Sequence, residues 1–208
     1  YIHTRQRARD PFIPFDDERR LDHSIPEIQR VEIDRTVLMV ASYGLDARKL
    51  DFPNAIPKKV VKQAKRYLHE IGALDDTGKI TELGMKINSL PFAPGIGRMV
   101  VESEQYSTET RRQVIAIAAS MESGGLAHNV AGVPQKWRGL VDSESSDFIA
   151  QLEMFVAMGN MSHRQHMESR LDIRNGLDAR ELYKKTLKRA GIAYRKPSLP
   201  TAIEAANI

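Results

Sequence analysis

The 208-residue chain is 41% hydrophobic, with six Phe, six Tyr and one Trp, enough apolar material for one sizeable core or two modest ones. Lys and Arg number 31 against 27 Asp and Glu, so the formal charge of +4 favours an anionic partner without demanding one. The lack of cysteine excludes disulfides, thiolate metal sites and Cys nucleophiles; with no apolar run of membrane-spanning length and no signal-peptide core in "YIHTRQRARDPF", the expectation is an intracellular, cytoplasmic protein with no membrane partner.

Residues 1–23 are charged and broken by Pro11 and Pro14, which predicts an extended lead-in. The chain begins at Tyr1 rather than Met and is expected to be part of something longer. In "SIPEIQRVEIDRTVLMVASYG" a Ser24 cap, Pro26 and Glu27 in the first turn and helical spacing of Ile28, Val31, Val37, Leu38 and Ala41 predict a helix that Gly44 stops. "PKKVVKQAKRYLHEIG" repeats the pattern: Pro57 opens, Val60, Val61, Ala64, Leu68 and Ile71 form the stripe, and Gly72 closes. Next, Ala73-Leu74 and Lys79-Ile80-Thr81 flank the turn Asp75-Asp76-Thr77-Gly78, predicting a small two-stranded ribbon. Thr81 then caps "ELGMKINSL", with Glu82 at the positive end of the helix dipole. Helix, helix, hairpin, helix is the layout of a winged-helix domain, and the ribbon is its wing.

From Pro91 onward no strand signal remains. "GRMVVESEQY" and "TETRRQVIAIAASM" predict two helices, the second capped by Ser107 or Thr108 with Val114, Ile117, Ala118 and Met121 as its face; Gly95 and Gly97 predict a loose start to the first. Residues 122–146 are rich in Gly, Ser and Pro and read as a long loop. Ser146 or Asp147 caps "SDFIAQLEMFVAMGN", with Phe148, Leu152 and Phe155 as the stripe, and Asp178 caps "DARELYKKTLKRAG". The remaining "IAYRKPSLPTAIEAANI" is weakly patterned. The expected fold is mainly α: a winged helix over 24–90 and a helical bundle over 91–208.

His163 and His166, with Glu168 nearby, have H-x-x-H spacing, whereas a helical metal site wants i, i+4 and a third ligand, so a polar face is expected. His69 and His128 have no sequence partners. Lys58, Lys59, Lys62, Lys65 and Arg66 crowd the helix that enters the major groove in stand-alone winged-helix proteins, although a charged face opposite an apolar stripe is also what any amphipathic helix shows. Lys184, Lys185, Lys188 and Arg189 form a second cluster. Neither has interleaved aromatics of the kind that stack bases, so any nucleic-acid contact is expected to reach phosphates and to be blind to sequence.

"SIPEIQRVEIDRTVLMVASYGL", "LHEIGALDDTGKITELGMKINSLPFAPGIGRMVVESEQY", "QVIAIAASM" and "SDFIAQLEMF" follow one another in the order and spacing of the segment after the two motor domains of DEAH-box helicases. The resemblance runs over roughly residues 24–190. It rests on P-E-I-x-R, the G-A-L-D-x-x-G-x-[IL]-T-x-L-G wing, the L-P-x-x-P step and the Ser-Asp that opens a Leu-rich helix; Ala93 stands where the family usually has an acidic residue. It implies a non-catalytic C-terminal region of an ATP-dependent RNA helicase, a winged helix followed by the helicase-associated ratchet bundle. The implied partners are the parent's own motor domains, single-stranded RNA or DNA, and protein cofactors. ATP and Mg are implied for the parent, and no cofactor for this segment: no Walker A loop, D-E-A-H or arginine-finger motif is present, so the chain alone is not expected to hydrolyse ATP. The implied RNA contact is Arg98, after the step, helped by Lys184 and Lys188, with Lys58, Lys59 and Lys62 as lesser candidates because the family uses the winged helix as a platform. The alternatives are a winged-helix DNA-binding regulator and a protein-docking module.

Overall fold

In the computed structural model the described residues are 27–47, 50, 56–127, 146–169 and 171–199, with backbone alone at 27–32, 163 and 167. The lead-in at 1–23, His128 and most of the expected 122–146 loop lie outside them. Among the described residues the structure is mainly helical. α1 (Glu27–Ser42) turns Val37, Leu38, Val40 and Ala41 inward, and α2 (Lys58–Glu70) meets them with Val61, Ala64 and Leu68. The i, i+3, i+4 and i+7 spacing on α2 keeps these groups on one stripe, so burying it against α1 removes apolar surface from water while the lysines stay wet.

The wing is smaller than the expected two-stranded ribbon. A single antiparallel bridge pairs Leu74 with Ile80, flanked by Asp75 N–H donating to Lys79 O at 2.8 Å and Thr81 N–H to Ala73 O at 3.0 Å. Its arms are only a few residues long because helix geometry claims the chain on both sides. Gly72, at φ 75°, ends the α2 terminus in the left-handed conformation that suits glycine, and α3 (Glu82–Ser89) begins directly after Thr81. Thr81 serves both ends: its hydroxyl accepts from Gly84 N–H at 2.9 Å and donates to Gly72 O at 2.7 Å. At the tip, the Asp75 carboxylate accepts from Thr77 N–H, the Thr77 hydroxyl and Lys79 N–H within 2.9 Å. These bonds, led by the Thr77 hydroxyl, hold its pKa below the usual carboxylate range. The glycine of the T-x-L-G motif has a steric cause: a Cβ on Gly84 would lie 2.1 Å from the Ala73 carbonyl oxygen.

The second half is built around one helix. α4 (Pro94–Glu102) runs into a 3₁₀ turn at Ser103–Gln105, and α5 (Thr108–Glu122) is capped by Ser107 and buried at every residue from Gln113 to Ser120. α4, α6 (Asp147–Met158) and α8 (Ile173–Arg189) all pack on α5, and the short α7 (His163–Ser169) joins the last two. Phe92, Ile115, Leu152, Phe155, Tyr183 and Leu187 are among the buried groups of this second core, separate from the α1–α3 core.

Three expectations need correction. Gly95 and Gly97 do not loosen α4; they lie inside it because a Cβ at Gly95 would sit 2.3 Å from the Tyr67 hydroxyl and one at Gly97 3.1 Å from Ile87. The last helix begins before Asp178: Asp172 caps it by accepting from Asn175 N–H at 2.9 Å, and Gly176 is tolerated within it because Met158 of α6 lies over its Cα. Phe148 of the expected α6 stripe is exposed, while Met154 and Met158 turn inward beside Leu152 and Phe155.

The two cores are joined by Glu122 at the end of α5. Its carboxylate receives Arg35 of α1 at 2.6 Å and the Ala93 backbone N–H, at the N-cap of α4, at 2.7 Å. The N–H groups of a helix start have no intrahelical partner, and a carboxylate there also meets the positive end of the dipole.

Candidate nucleic-acid interface

The expected contact residues fall in three places. Lys58, Lys59 and Lys62 occupy the first turns of α2, point into solvent and form no ion pair among the described residues. The rest of that stripe is neutralised: Lys65 Nζ pairs with Asp46 at 2.6 Å, both carboxylate and ammonium being about four-fifths buried, and Arg66 pairs with Glu70 at 2.8 Å. The cation track on α2 is therefore limited to its N-terminal half. Below it, Tyr67 packs toward α1, where burial, with a smaller contribution from Asp34, raises its phenol pKa.

Arg98 lies at the opposite end of α2. Its guanidinium donates to Ile71 O at 3.3 Å and to Glu102 at 2.9 Å, so it ties α4 to the α2 terminus and the wing. Thirteen helical residues at ~1.5 Å each set that end about 20 Å from Lys58. Arg98 is a partly neutralised side chain in a structural position, and any anion it meets must compete with Glu102.

On α8, Lys184 pairs with Glu181 at 2.9 Å, an interaction that lowers the Glu181 pKa, whereas Lys188 is exposed without an ion pair among the described residues. Arg189 donates to the Ser89 carbonyl at the end of α3 and bridges the two halves. Lys185 faces an open groove with Glu122, Asp178 and Glu181, where the carboxylates outnumber it.

Sequence spacing left the α8 cluster without an aromatic neighbour; the fold supplies one. After Gly191 the chain returns along α8 as an extended strap over 192–199, and Lys184 Nζ lies 6.0 Å from the Tyr194 ring centroid. The strap is held by side chains of α5 and α8: Glu109 accepts from Ser198 N–H and hydroxyl at 2.8 and 2.9 Å, Gln113 donates to Ser198 O at 3.1 Å, and Tyr183 donates to Arg195 O at 2.7 Å. Burial pushes the Glu109 carboxyl up, but the two Ser198 bonds and Arg112 outweigh it and hold the pKa below its ordinary value. Burial raises the Tyr183 phenol, which stays protonated and donating. The signal that was available in sequence was Gln113, a polar residue directly before the apolar run of α5, one turn after Glu109.

Among the described residues the histidines show no convergent ligand set. His69 meets Asp76 at 2.8 Å on the surface, His166 Nδ1 lies 3.1 Å from Ser162 O, and Glu168 pairs with Arg164 at 2.9 Å; the His163 side chain is outside the described residues. Among the described residues no group of three His, Cys, Asp or Glu is placed to hold a metal, and no helix is long and apolar enough to cross a membrane.

Residues 66–92, from the second half of α2 through the wing and α3 to the buried Phe92 of the step, match the model of the helicase associated domain (HA2), winged-helix. The match covers the segment where Gly72, Thr81 and Gly84 lock the wing, and it supports reading this chain as a helicase C-terminal region.

Proposed function

We propose that the chain is the non-catalytic C-terminal region of an ATP-dependent DEAH-box RNA helicase. In this reading residues 24–90 form the winged helix, 91–208 the helicase-associated bundle, and 1–23 lead in from a preceding motor domain. The winged helix packs on the motors, which carry ATP and Mg, and the bundle walls the path of a single strand. Arg98, Lys184 and Lys188 lie on that path, with Lys58, Lys59 and Lys62 as secondary contacts.

The observation that carries it is continuity. The helicase-associated match ends at Phe92, and Glu122 grips the next residue, Ala93, together with Arg35, so movement of the winged helix is passed to the bundle helices. Phosphate contacts by such a surface are sequence-blind and salt-sensitive, with dissociation constants on the order of 10⁻⁴ to 10⁻⁶ M for the isolated region.

Fluorescence anisotropy of the chain with labelled oligouridine and with duplex DNA tests this at low salt. A preference for the single strand, without ATP turnover by the chain itself, is the expected result. A second reading is favoured by one observation, the exposed Lys58, Lys59 and Lys62 on the outer face of α2, which form no ion pair among the described residues. If duplex DNA is the better ligand and replacing those three lysines by Ala abolishes it, the chain is a winged-helix DNA regulator.

A further inference from the structure

The end of α6, the outer face of α8 and the strap form a narrow crevice, lined by Phe155, Tyr183 and Tyr194 on its aromatic side and by Arg180 and Lys196 on its cationic side. Lys196 Nζ donates to Gly159 O at 3.0 Å and to Asn160 Oδ1 at 2.9 Å. Both acceptors are neutral, so its charge is oriented by the turn after α6 and not cancelled. Arg180 reaches the same turn: a Cβ on Gly159 would lie 3.5 Å from Arg180 Nη2 and 3.8 Å from Lys196 Cε. Neither cation forms an ion pair among the described residues.

The aromatic side is held in place. Tyr183 is buried, stands edge-on to Phe155 at 5.3 Å and to Tyr194 at 6.1 Å, and donates to the Arg195 carbonyl. That bond fixes the strap so that Tyr194 remains 51% exposed beside Arg195 and Lys196. Lys184 Nζ stands over the Tyr194 ring at 6.0 Å from its centroid, the outer limit of a cation–π contact.

We propose that the mouth of this crevice binds one unstacked nucleotide of a single-stranded nucleic acid, with the exposed face of Tyr194 as the stacking platform and Arg180 and Lys196 as phosphate contacts. The inference rests on the reading of the bundle as a wall of a single-strand path, and it adds the one group that reading lacked, an aromatic platform. The crevice itself is only about the size of a water, so the base stacks outside it, on the exposed face of Tyr194 at its mouth. An exposed aromatic beside two oriented cations is how single strands are held without regard to sequence, whereas phosphopeptide sites rely on Arg clusters.

The test is anisotropy of labelled oligouridine with the whole chain through a salt series, with thermal melts for each variant. Tyr194→Ala is expected to weaken binding about tenfold without changing the salt dependence, and Tyr194→Phe to bind as the parent does. Arg180→Gln and Lys196→Gln are each expected to reduce the slope of log K against log salt by about 0.7, the value for one single-strand phosphate contact. Crosslinking of 4-thiouridine oligonucleotide to the unmodified chain, mapped by mass spectrometry, gives a readout that needs no variant to fold; label on the peptide containing Tyr194 is expected. If the chain binds oligouridine but Tyr194→Ala binds equally and no label reaches that peptide, the crevice inference is overturned and the helicase reading stands. If Tyr194→Ala loses oligouridine while duplex DNA remains the preferred ligand, the helicase reading fails and the crevice stands. Absence of oligouridine binding at low salt, or its displacement by a phosphopeptide that binds in the same Tyr194-dependent way, overturns the nucleotide assignment.

Discussion

The wing and the C-terminal strap are both short extended segments laid against helices, yet they are held by opposite means. The hydrogen bonds that shape the wing are local: Thr81 reaches Gly72 and Gly84, and the Asp75 carboxylate reaches Thr77 and Lys79. The anchors of the strap come mostly from far along the chain: Glu109 and Gln113 hold Ser198 across 89 and 85 residues, with Tyr183 reaching Arg195 across 12. A locally closed segment pays little loop entropy and leaves a motif that can be read. A distantly held one leaves only scattered polar residues with no local motif. The wing is therefore expected to fail together with its core, and the strap to detach alone.

Gly84→Ala is the most severe way to probe this. The new Cβ meets the Ala73 carbonyl at 2.1 Å, a backbone atom that gives way only if the wing moves off α3, so a loss of about 3 kcal/mol in a urea melt is expected, with the whole α1–α3 core affected. A melt within 0.5 kcal/mol of the parent breaks the view that this glycine is sterically required. Thr81→Ala removes the α3 cap and the Gly72 bond together and is expected to cost about 1.5 kcal/mol, with faster amide exchange at Gly84.

Glu109→Gln is smaller, about 1 kcal/mol, and the faster amide exchange is expected to be confined to the strap, at Ser198 and its neighbours. Because the folded Glu109 pKa lies below its ordinary value, its contribution is complete above the usual carboxylate range and is lost as pH falls through that range to the folded value. The parent should thus release the strap on acidification, and Glu109→Gln should flatten that step. Global unfolding in step with the strap would show that the two segments are not independent. The smallest effect is expected at Arg66→Ala, where both partners are largely exposed and the loss should be about 0.3 kcal/mol, removed by salt.

The winged-helix half was legible because its signals are short-range. The apolar stripe of α2, the glycine that ends it, the turn at Asp75–Gly78 and the Thr81 cap each lie within one or two helical turns, and each has a steric or hydrogen-bonding cause that operates locally. Burial of α5 on all sides was less legible. Its polar ends and its Gln113 resemble a surface helix until α4, α6 and α8 enclose it. The misplaced start of α8 has a related cause, since Gly176 reads as a breaker unless it is known that Met158 lies over it.

The residue types available for contact were set by the sequence alone: a modest excess of positive charge, two lysine-rich helices and no cysteine. Which of those charges remain free was a tertiary decision. Asp46 reaches Lys65 across 19 residues, Ile71 and Glu102 occupy Arg98, and Ser89 receives Arg189 across 100, whereas Lys58, Lys62 and Lys188 meet no carboxylate among the described residues. Tyr194 illustrates the same physics from the other side. In sequence it sits in a weakly patterned tail, and only the turn at Gly191, which reverses the chain along α8, brings its ring to Lys184, Arg180 and Lys196. Charge and aromatic content are properties of residues, but neutralisation and juxtaposition depend on distance, and distance between remote residues exists only in the folded chain.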